Sequence, residues 1–179
     1  MSSLRHLFTV VWLGLLVVNL GSQSYAQSFG DAFSGVGDND EPVNIKADRL
    51  EVIDEQKIAI LTGKVRVVQG TSVVTGKQMR VYYLGKEEKS QTRSGVEKIE
   101  ITGGVAIKSD ENEATADEAI INLINNAAEL IGNVHLSQGE NIVKACSLWV
   151  DLETRHTKLN HSCNERIYIV STPRDNEEQ

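Results

Sequence analysis

The feature that most constrains this chain is a seven-residue phrase that occurs three times. It reads LTGKVRV at residues 61–67, ITGGVAI at 101–107 and LIGNVHL at 130–136. Its glycines, Gly63, Gly103 and Gly132, are 40 and then 29 residues apart. The repeating unit is therefore about 29 residues long, and one copy carries 11 more, the difference between 40 and 29. Such a period is typical of stacked supersecondary units that bury their apolar faces only against their neighbours.

A second phrase alternates with the first and keeps the same period. It reads ADRL at 47–50, GKQM at 76–79, ADEA at 116–119 and ACSL at 145–148. Successive copies begin 29, 40 and 29 residues apart. The extra residues fall within 84–98, which is rich in lysine, glutamate and glycine, so we interpret that stretch as a solvated loop.

Within the phrases, apolar and polar residues alternate, which predicts strands with one apolar face. Val65 and Val67 then project to one side of a sheet, and Lys64 and Arg66 project to the other. β-branched residues, which favour pleated and half-buried surfaces, prevail from residue 43 to residue 170. A slip of the alternation near Arg49 indicates a bulge. The sequence predicts an all-β fold built from strand repeats.

Residues 114–131 fit two interpretations. Apolar residues at offsets of 0, 4, 7, 11 and 14 from Ala116 suit an amphipathic helix, and the local composition favours one. Ala119, Ile121 and Leu123 also alternate as a strand requires. Because a helix in one copy would interrupt the core that the repeats share, we favour strand, with a turn at Asn125 and Asn126.

The ends of the chain suggest export and a single domain. Residues 1–26 have a basic start, an apolar run and small residues before Gln27, as in a cleaved secretory signal; the alternative is an uncleaved membrane anchor. We predict a flexible leader at 27–41, one domain at 42–170 and a flexible tail at 171–179. After cleavage, 25 acids and 17 bases (18 less Arg5) give a net charge of −8, which argues against a nucleic-acid partner. A local basic patch facing a phosphorylated ligand remains compatible with this charge.

The two cysteines suggest a disulfide. If the last hairpin is centred between Thr154 and Arg155, paired positions sum to 309, and Cys146 lies opposite Cys163. Opposed cysteines in an exported protein predict a bond between them. The alternative is a metal site that adds His156 and His161, but this spacing is irregular for zinc, so we predict no metal.

A search for chemistry finds no phosphate-binding loop, dinucleotide phrase, nucleophile elbow or zinc-protease motif. Asp48 and Asp117 hold equivalent repeat positions and so suggest a carboxylate pair. However, Lys77 and Cys146 hold the same position in the other copies, so no acid chemistry is required there. We therefore predict that the protein is not an enzyme and has no cofactor.

Taken together, three features resemble the OstA-like domain family of lipopolysaccharide transport: the run from Pro42 to Asp48, the three glycine phrases, and Gln69-Gly70 with Gln138-Gly139. The resemblance covers about residues 42–170. It implies a twisted, partly open β-jellyroll in the periplasm whose interior receives the lipid A acyl chains of lipopolysaccharide. It also implies head-to-tail stacking, by edge-strand pairing, between an inner-membrane transport complex and an outer-membrane translocon. The cysteine pair and the charged insertion near Gly85 depart from the family pattern.

On this interpretation the inward-facing apolar residues line a lipid groove, although the same residues would suit an ordinary closed core. The predicted lining residues are Val43, Ile45, Leu50, Val52, Val65, Val67, Met79, Val81, Val105, Ile107, Ile121, Leu123, Val134, Leu136, Leu148 and Val150. Four cations form either a rim facing the lipid's phosphates or simply an outer charged face; they are Lys46, Arg49, Lys64 and Arg66. Two other functions stay open: a membrane-anchored relay of the same fold, and a structural β-repeat protein that binds only proteins.

Overall fold

The computed structural model describes residues 41–85, 92, 95–110, 112–161 and 166–171. Outside these residues lie the predicted signal segment and Cys163. The predicted leader, except Glu41, and the predicted tail, except Ser171, lie outside them as well. The domain boundaries stay a prediction for this reason.

The described chain forms one antiparallel sheet of ten strands. The strands are β1 (Asn44–Lys46), β2 (Arg49–Ile53), β3 (Ile58–Gln69), β4 (Ser72–Tyr83), β5 (Val96–Ser109), β6 (Asn112–Asn122), β7 (Ala127–Gln138), β8 (Asn141–Asp151), β9 (Thr157–Asn160) and β10 (Tyr168–Val170). A single 3₁₀ turn, Asp54–Gln56, joins β2 to β3. The predicted all-β class is confirmed, and residues 114–131 belong to β6, a turn and β7, as we favoured.

The strand order follows the chain order. β3 to β8 lie side by side in sequence, β1 and β2 pair with the free side of β3, and β9 and β10 pair with the free side of β8. Among the described residues, no further strand pairs with β1 and β2 or with β9 and β10 on their outer sides. The sheet is therefore open at both edges.

The repeated glycine phrase forms a kink in every odd central strand. Gly63 and Gly132 have φ angles of +82° and +77°, and the register shifts at both positions. An added Cβ would meet the side chain of Asp48 at Gly63 and that of Asp117 at Gly132. Glycine is required there because the backbone is left-handed and a neighbouring side chain occupies the space of a Cβ. The aspartates that suggested a carboxylate pair thus pack against different kinks, Asp48 from the link between β1 and β2 and Asp117 from β6.

The kinks allow the sheet to bury its own inner face. Residues on both sides of each kink belong to one apolar core, and its central members, such as Ile107, Leu148 and Val134, have no measurable exposure. A flat single sheet would leave such residues in water, and among the described residues no helix covers them. The bent sheet therefore covers its own apolar face. Near Arg49, where we predicted a bulge, the edge of the sheet is interrupted between β1 and β2.

The predicted register of the last hairpin is wrong by two residues. Leu148 pairs with Leu159, so positions in β8 and β9 sum to 307 rather than 309. The turn begins earlier than expected because the Asp151 carboxylate accepts hydrogen bonds from the backbone N–H groups of Glu153 and Thr154 at 3.0 and 2.7 Å. The sum from which we predicted that Cys146 lies opposite Cys163 therefore does not apply to β8 and β9.

Candidate functional site

Three rows of inner-face residues cross the sheet perpendicular to the strands. The first row contains Ile45, Val67, Val74, Ile107, Ala114, Leu136, Val143 and Ile169. The second contains Leu50, Leu61, Met79, Ile101, Ala119, Leu130, Leu148 and Leu159. The third contains Val52, Ala59, Val81, Ile99, Ile121, Ala128, Val150 and Thr157. With neighbouring strands about 4.8 Å apart, each row is about 34 Å long.

Burial changes steeply along each row. In the first row Ile107 and Leu136 are 0% and 1% exposed, whereas the end residues Ile45 and Ile169 are 49% and 62% exposed. Leu50 and Val52 begin the other two rows with 61% and 57% exposure. The inner surface is thus closed in the middle of the domain and open at β1, β2 and β10, where apolar side chains meet solvent, while the row ends at β9, Leu159 and Thr157, are partly buried.

All sixteen predicted lining residues are apolar, and they fall into three burial groups. The buried members are Val65, Met79, Val105, Ile107, Ile121, Val134, Leu136, Leu148 and Val150. The partly buried members are Val67, Val81 and Leu123. The exposed members are Val43, Ile45, Leu50 and Val52. Their role as lipid contacts stays a prediction.

Several inner-face residues were absent from the predicted set. They are Leu61, Val74, Ile99, Ile101, Ala114, Ala116, Ala119, Ala128, Leu130, Val143, Ala145 and Leu159. Cross-strand register is the signal that identifies them. Val74 pairs with Val67, Leu130 with Leu148 and Ile99 with Val81, so each lies in the same row as a predicted residue. The alanines are hard to assign from sequence because a small side chain contributes little to an apolar pattern.

The four predicted rim cations lie together on the outer face near the first kink. Lys46 pairs directly with Arg66 across β1 and β3, Arg49 pairs with Thr62, and Lys64 lies in the kink itself. All four are exposed, and none takes part in the ion pairs found among the described residues. The structure therefore places these cations on the outer face, away from the apolar rows.

The most connected charged group also lies on the outer face, between β4 and β5. Lys98 Nζ is 2.8 Å from Glu100 Oε1, the Tyr82 hydroxyl donates to Glu100 Oε2 at 2.8 Å, and Lys98 stands 4.2 Å from the Tyr82 ring centroid. The Lys98 contact, followed by the Tyr82 hydrogen bond, lowers the pKa of Glu100. The bond to Glu100 raises the pKa of Tyr82 and of Lys98. Because each of these side chains binds another member of the cluster, we interpret the cluster as structural.

The cysteine and histidine predictions are only partly inside the described chain. Cys146 is disulfide-bonded and no described cysteine is free, but its predicted partner Cys163 lies outside the described residues, so the pairing stays a prediction. Within the described ranges, no three histidine, cysteine, aspartate or glutamate side chains lie close enough to hold a metal ion.

Comparison with known proteins identifies the family. A family described as LptA/(LptD N-terminal domain) LPS transport protein matches residues 44–156, which is 113 of the 179 residues. The chain belongs to this LptA/LptD N-terminal domain family of lipopolysaccharide transport proteins. It is also 33% identical over 163 residues to an uncharacterized protein of Rhizobium meliloti (strain 1021), a match that covers 89% of this chain and 87% of that protein.

A solved structure of an LptA homologue has the same architecture. The chain is similar to LptH of Pseudomonas aeruginosa, described as the LptA homologous periplasmic component of the conserved lipopolysaccharide transport device. The TM-score is 0.63 at 18% identity, over 76% of this chain and 99% of LptH. The fold is thus the open, LptA-like β-jellyroll that the resemblance implied. None of the described residues belongs to a helix with the length and apolarity that a membrane crossing requires.

Proposed function

We propose that this protein is a periplasmic lipopolysaccharide carrier that bridges the inner and outer membranes and is not an enzyme. The observation that carries the proposal is the set of three largely apolar rows, which together reach all ten strands and end exposed at the β1/β2 edge. A passage for acyl chains needs an apolar surface that is continuous through the domain and reachable at its ends. The family membership supports lipopolysaccharide as the cargo.

The closed middle and open edges suit a carrier that must also release its cargo. Burying a methylene contributes about 0.8 kcal/mol, so a chain of about a dozen carbons, fully enclosed, would contribute about 10 kcal/mol. Several chains held in this way would bind too tightly to be passed on. Binding stays weak enough for release if the groove encloses each acyl chain incompletely and if its buried middle opens only when lipid enters.

The parity of the strands provides the first test. A photo-crosslinking residue is placed at Val67, on the inner face, and separately at its outer-face neighbour Arg66, and each protein is illuminated with lipopolysaccharide. We expect capture at Val67 and little at Arg66. Capture at neither position in a folded protein would favour a structural repeat protein that binds only proteins, and capture at Arg66 alone would invert our assignment of the faces.

The open edges support a second part of the proposal, head-to-tail stacking of copies or pathway partners. β1 and β10 each expose one side of a strand, which is a template for pairing with another chain. We expect Ile45→Asp to reduce self-association in sedimentation experiments, because Ile45 is half exposed at the edge. Glu55→Asp, in the exposed 3₁₀ turn, serves as the control. Equal association of wild type and Ile45→Asp would exclude this edge as the contact.

A further inference from the structure

One feature of the inner face has no place in an apolar passage: its last row before one set of turns is polar. The row contains Gln69, Ser72, Ser109, Asn112, Gln138 and Asn141, and we call it the polar row. Gln69 pairs with Ser72, Ser109 with Asn112, and Gln138 with both Asn112 and Asn141. A hydrogen bond of 3.2 Å joins Ser72 Oγ to Ser109 Oγ and completes the row across β3 to β8.

The polar row follows the same repeat as the glycine phrase. Gln69, Ser109 and Gln138 end the odd strands at spacings of 40 and 29 residues. Their partners across the turns, at 72, 112 and 141, have the same two spacings. Each copy of the unit therefore supplies two amide or hydroxyl side chains, and all of them alternate in phase with the apolar rows.

Three of these six side chains are buried, and Asn112, Gln138 and Asn141 are partly buried. Gln69, Ser72 and Ser109, at 9%, 4% and 5% exposure, are the three buried polar residues of the described chain. Burying such groups lowers stability unless they are hydrogen-bonded. The neighbouring row on the same face is apolar, so packing of the core does not by itself require polar side chains here. The matching positions at the opposite turns do not form such a uniform row, since they are Lys57, Tyr83, Glu97, Leu123, Asn126 and Leu152.

One member of the polar row has an unmet hydrogen bond. Asn112 Oδ1 is buried and, among the described residues, accepts no hydrogen bond. It lies in the centre of the row, between Ser109 and Gln138. A buried acceptor without a donor is uncommon in folded proteins, and a ligand that brings an N–H or O–H group would remove the deficit.

We propose that the polar row is a binding site for the polar linkage of an acylated sugar, where acyl chains join the sugar through amide and ester groups. This inference rests on the carrier function proposed above and adds an orientation to it. With acyl chains along the apolar rows, the amide and hydroxyl groups of the sugar lie against the polar row, and a ligand N–H or O–H donates to Asn112 Oδ1. The row thereby fixes which side of the groove the headgroup occupies.

The test compares two ligands that share acyl chains but differ in the sugar. Fluorescent lipopolysaccharide and a fluorescent dodecanoic acid are titrated into purified wild type, Asn112→Leu and Gln138→Met, which keep side-chain size while removing polar atoms. We expect each variant to bind lipopolysaccharide about fivefold more weakly, the loss of one neutral hydrogen bond, and dodecanoic acid as wild type does. Ser137→Ala, next to Gln138 but on the outer face, should change neither affinity.

The outcomes separate the two proposals. Unchanged lipopolysaccharide affinity in both variants would overturn the polar row as a site and leave the carrier function standing. Equal weakening for both ligands would also overturn it, because the effect would then come from a disturbed interior. Wild type that binds neither ligand would overturn the carrier function, and the polar-row site with it. Matching circular dichroism spectra and melting temperatures verify that each variant is folded, and either variant alone suffices for the comparison.

Discussion

Leu50 and Leu148 belong to the same row of the sheet, yet their environments differ completely. Leu148 lies in β8 between β7 and β9 and has no measurable exposure, while Leu50 lies in the edge strand β2, which pairs only with β3, and is 61% exposed. Both follow the same alternating pattern and face the same side. The difference teaches that the repeat determines orientation, whereas burial depends on how many neighbours a strand has. The edge belongs to the same apolar surface but has no strand on its outer side among the described residues.

The largest expected effect separates these two leucines directly. Leu148→Ala should lower the free energy of unfolding by about 2–5 kcal/mol, because it removes buried methylenes and leaves a cavity. Leu50→Ala should change it by less than about 0.5 kcal/mol, since a mostly exposed side chain loses little burial. Urea denaturation followed by circular dichroism measures both. Equal losses would show that another part of the chain or a second copy covers the edge in solution.

The kink glycines offer a finer version of the same comparison. Gly132→Ala forces a Cβ onto Asp117 between two paired strands, in a backbone with φ of +77°, and we expect a loss of about 2 kcal/mol. Gly63→Ala meets Asp48 in the same manner at φ of +82°, but Asp48 lies in the short link between β1 and β2. Because that link can shift, the second loss should be about 1 kcal/mol.

The two glycine variants are compared by the same urea denaturation, with Gly104→Ala as the control. Gly104 has a φ of +86° and nothing within 4 Å of an added Cβ, so its loss reports the backbone conformation without a clash. If Gly63→Ala proved more destabilising than Gly132→Ala, the β1/β2 edge would be more rigid than its exposure suggests.

The smallest expected effect concerns charged pairs in the two regions. Glu100, which is 24% exposed beside Lys98 in the paired middle, should contribute about 0.5 kcal/mol, and Glu100→Gln should remove it. Since its pKa is lowered on folding, this contribution is present above the ordinary glutamate pKa of about 4.3 and is lost as pH falls through the folded value. Asp54, 80% exposed beside Lys57 near the edge, should give no resolvable change as Asp54→Asn.

Thermal unfolding of both charge variants between pH 7 and pH 3 measures this difference. The Glu100→Gln curve should converge with wild type at the acid end. A constant gap at every pH would show that Glu100 acts through packing and not through its charge.

The repeat period made much of this fold predictable. Spacing identified the strands, and the shared period, rather than local composition, decided correctly that residues 114–131 are not a helix. The hairpin after β8 was placed two residues away because the sequence does not show that Asp151 would cap its turn. Side-chain parity placed Val67 and Arg66 on opposite faces, as the pairing of β1 with β3 requires.

The candidate site was less accessible from the sequence. Ile45 and Ile107 lie in the same alternating sequence pattern, although Ile45 is exposed and Ile107 is buried. Only the number of neighbouring strands distinguishes the two residues. The polar row is not evident from the sequence because glutamine, serine and asparagine beside a turn indicate turn chemistry. Their inward orientation follows from register across six strands, which emerges only when the hairpins are assembled.

The perpendicular course of the apolar rows has a consequence for how such a domain changes size. Each added hairpin extends every row by two strand spacings, about 10 Å, and leaves the cross-section unaltered. A chain with this repeat can therefore lengthen or shorten by whole duplicated units of about 29 residues while keeping the same cross-section. Length along the rows and width across them are separately heritable, so gene duplication can adjust one without disturbing the other.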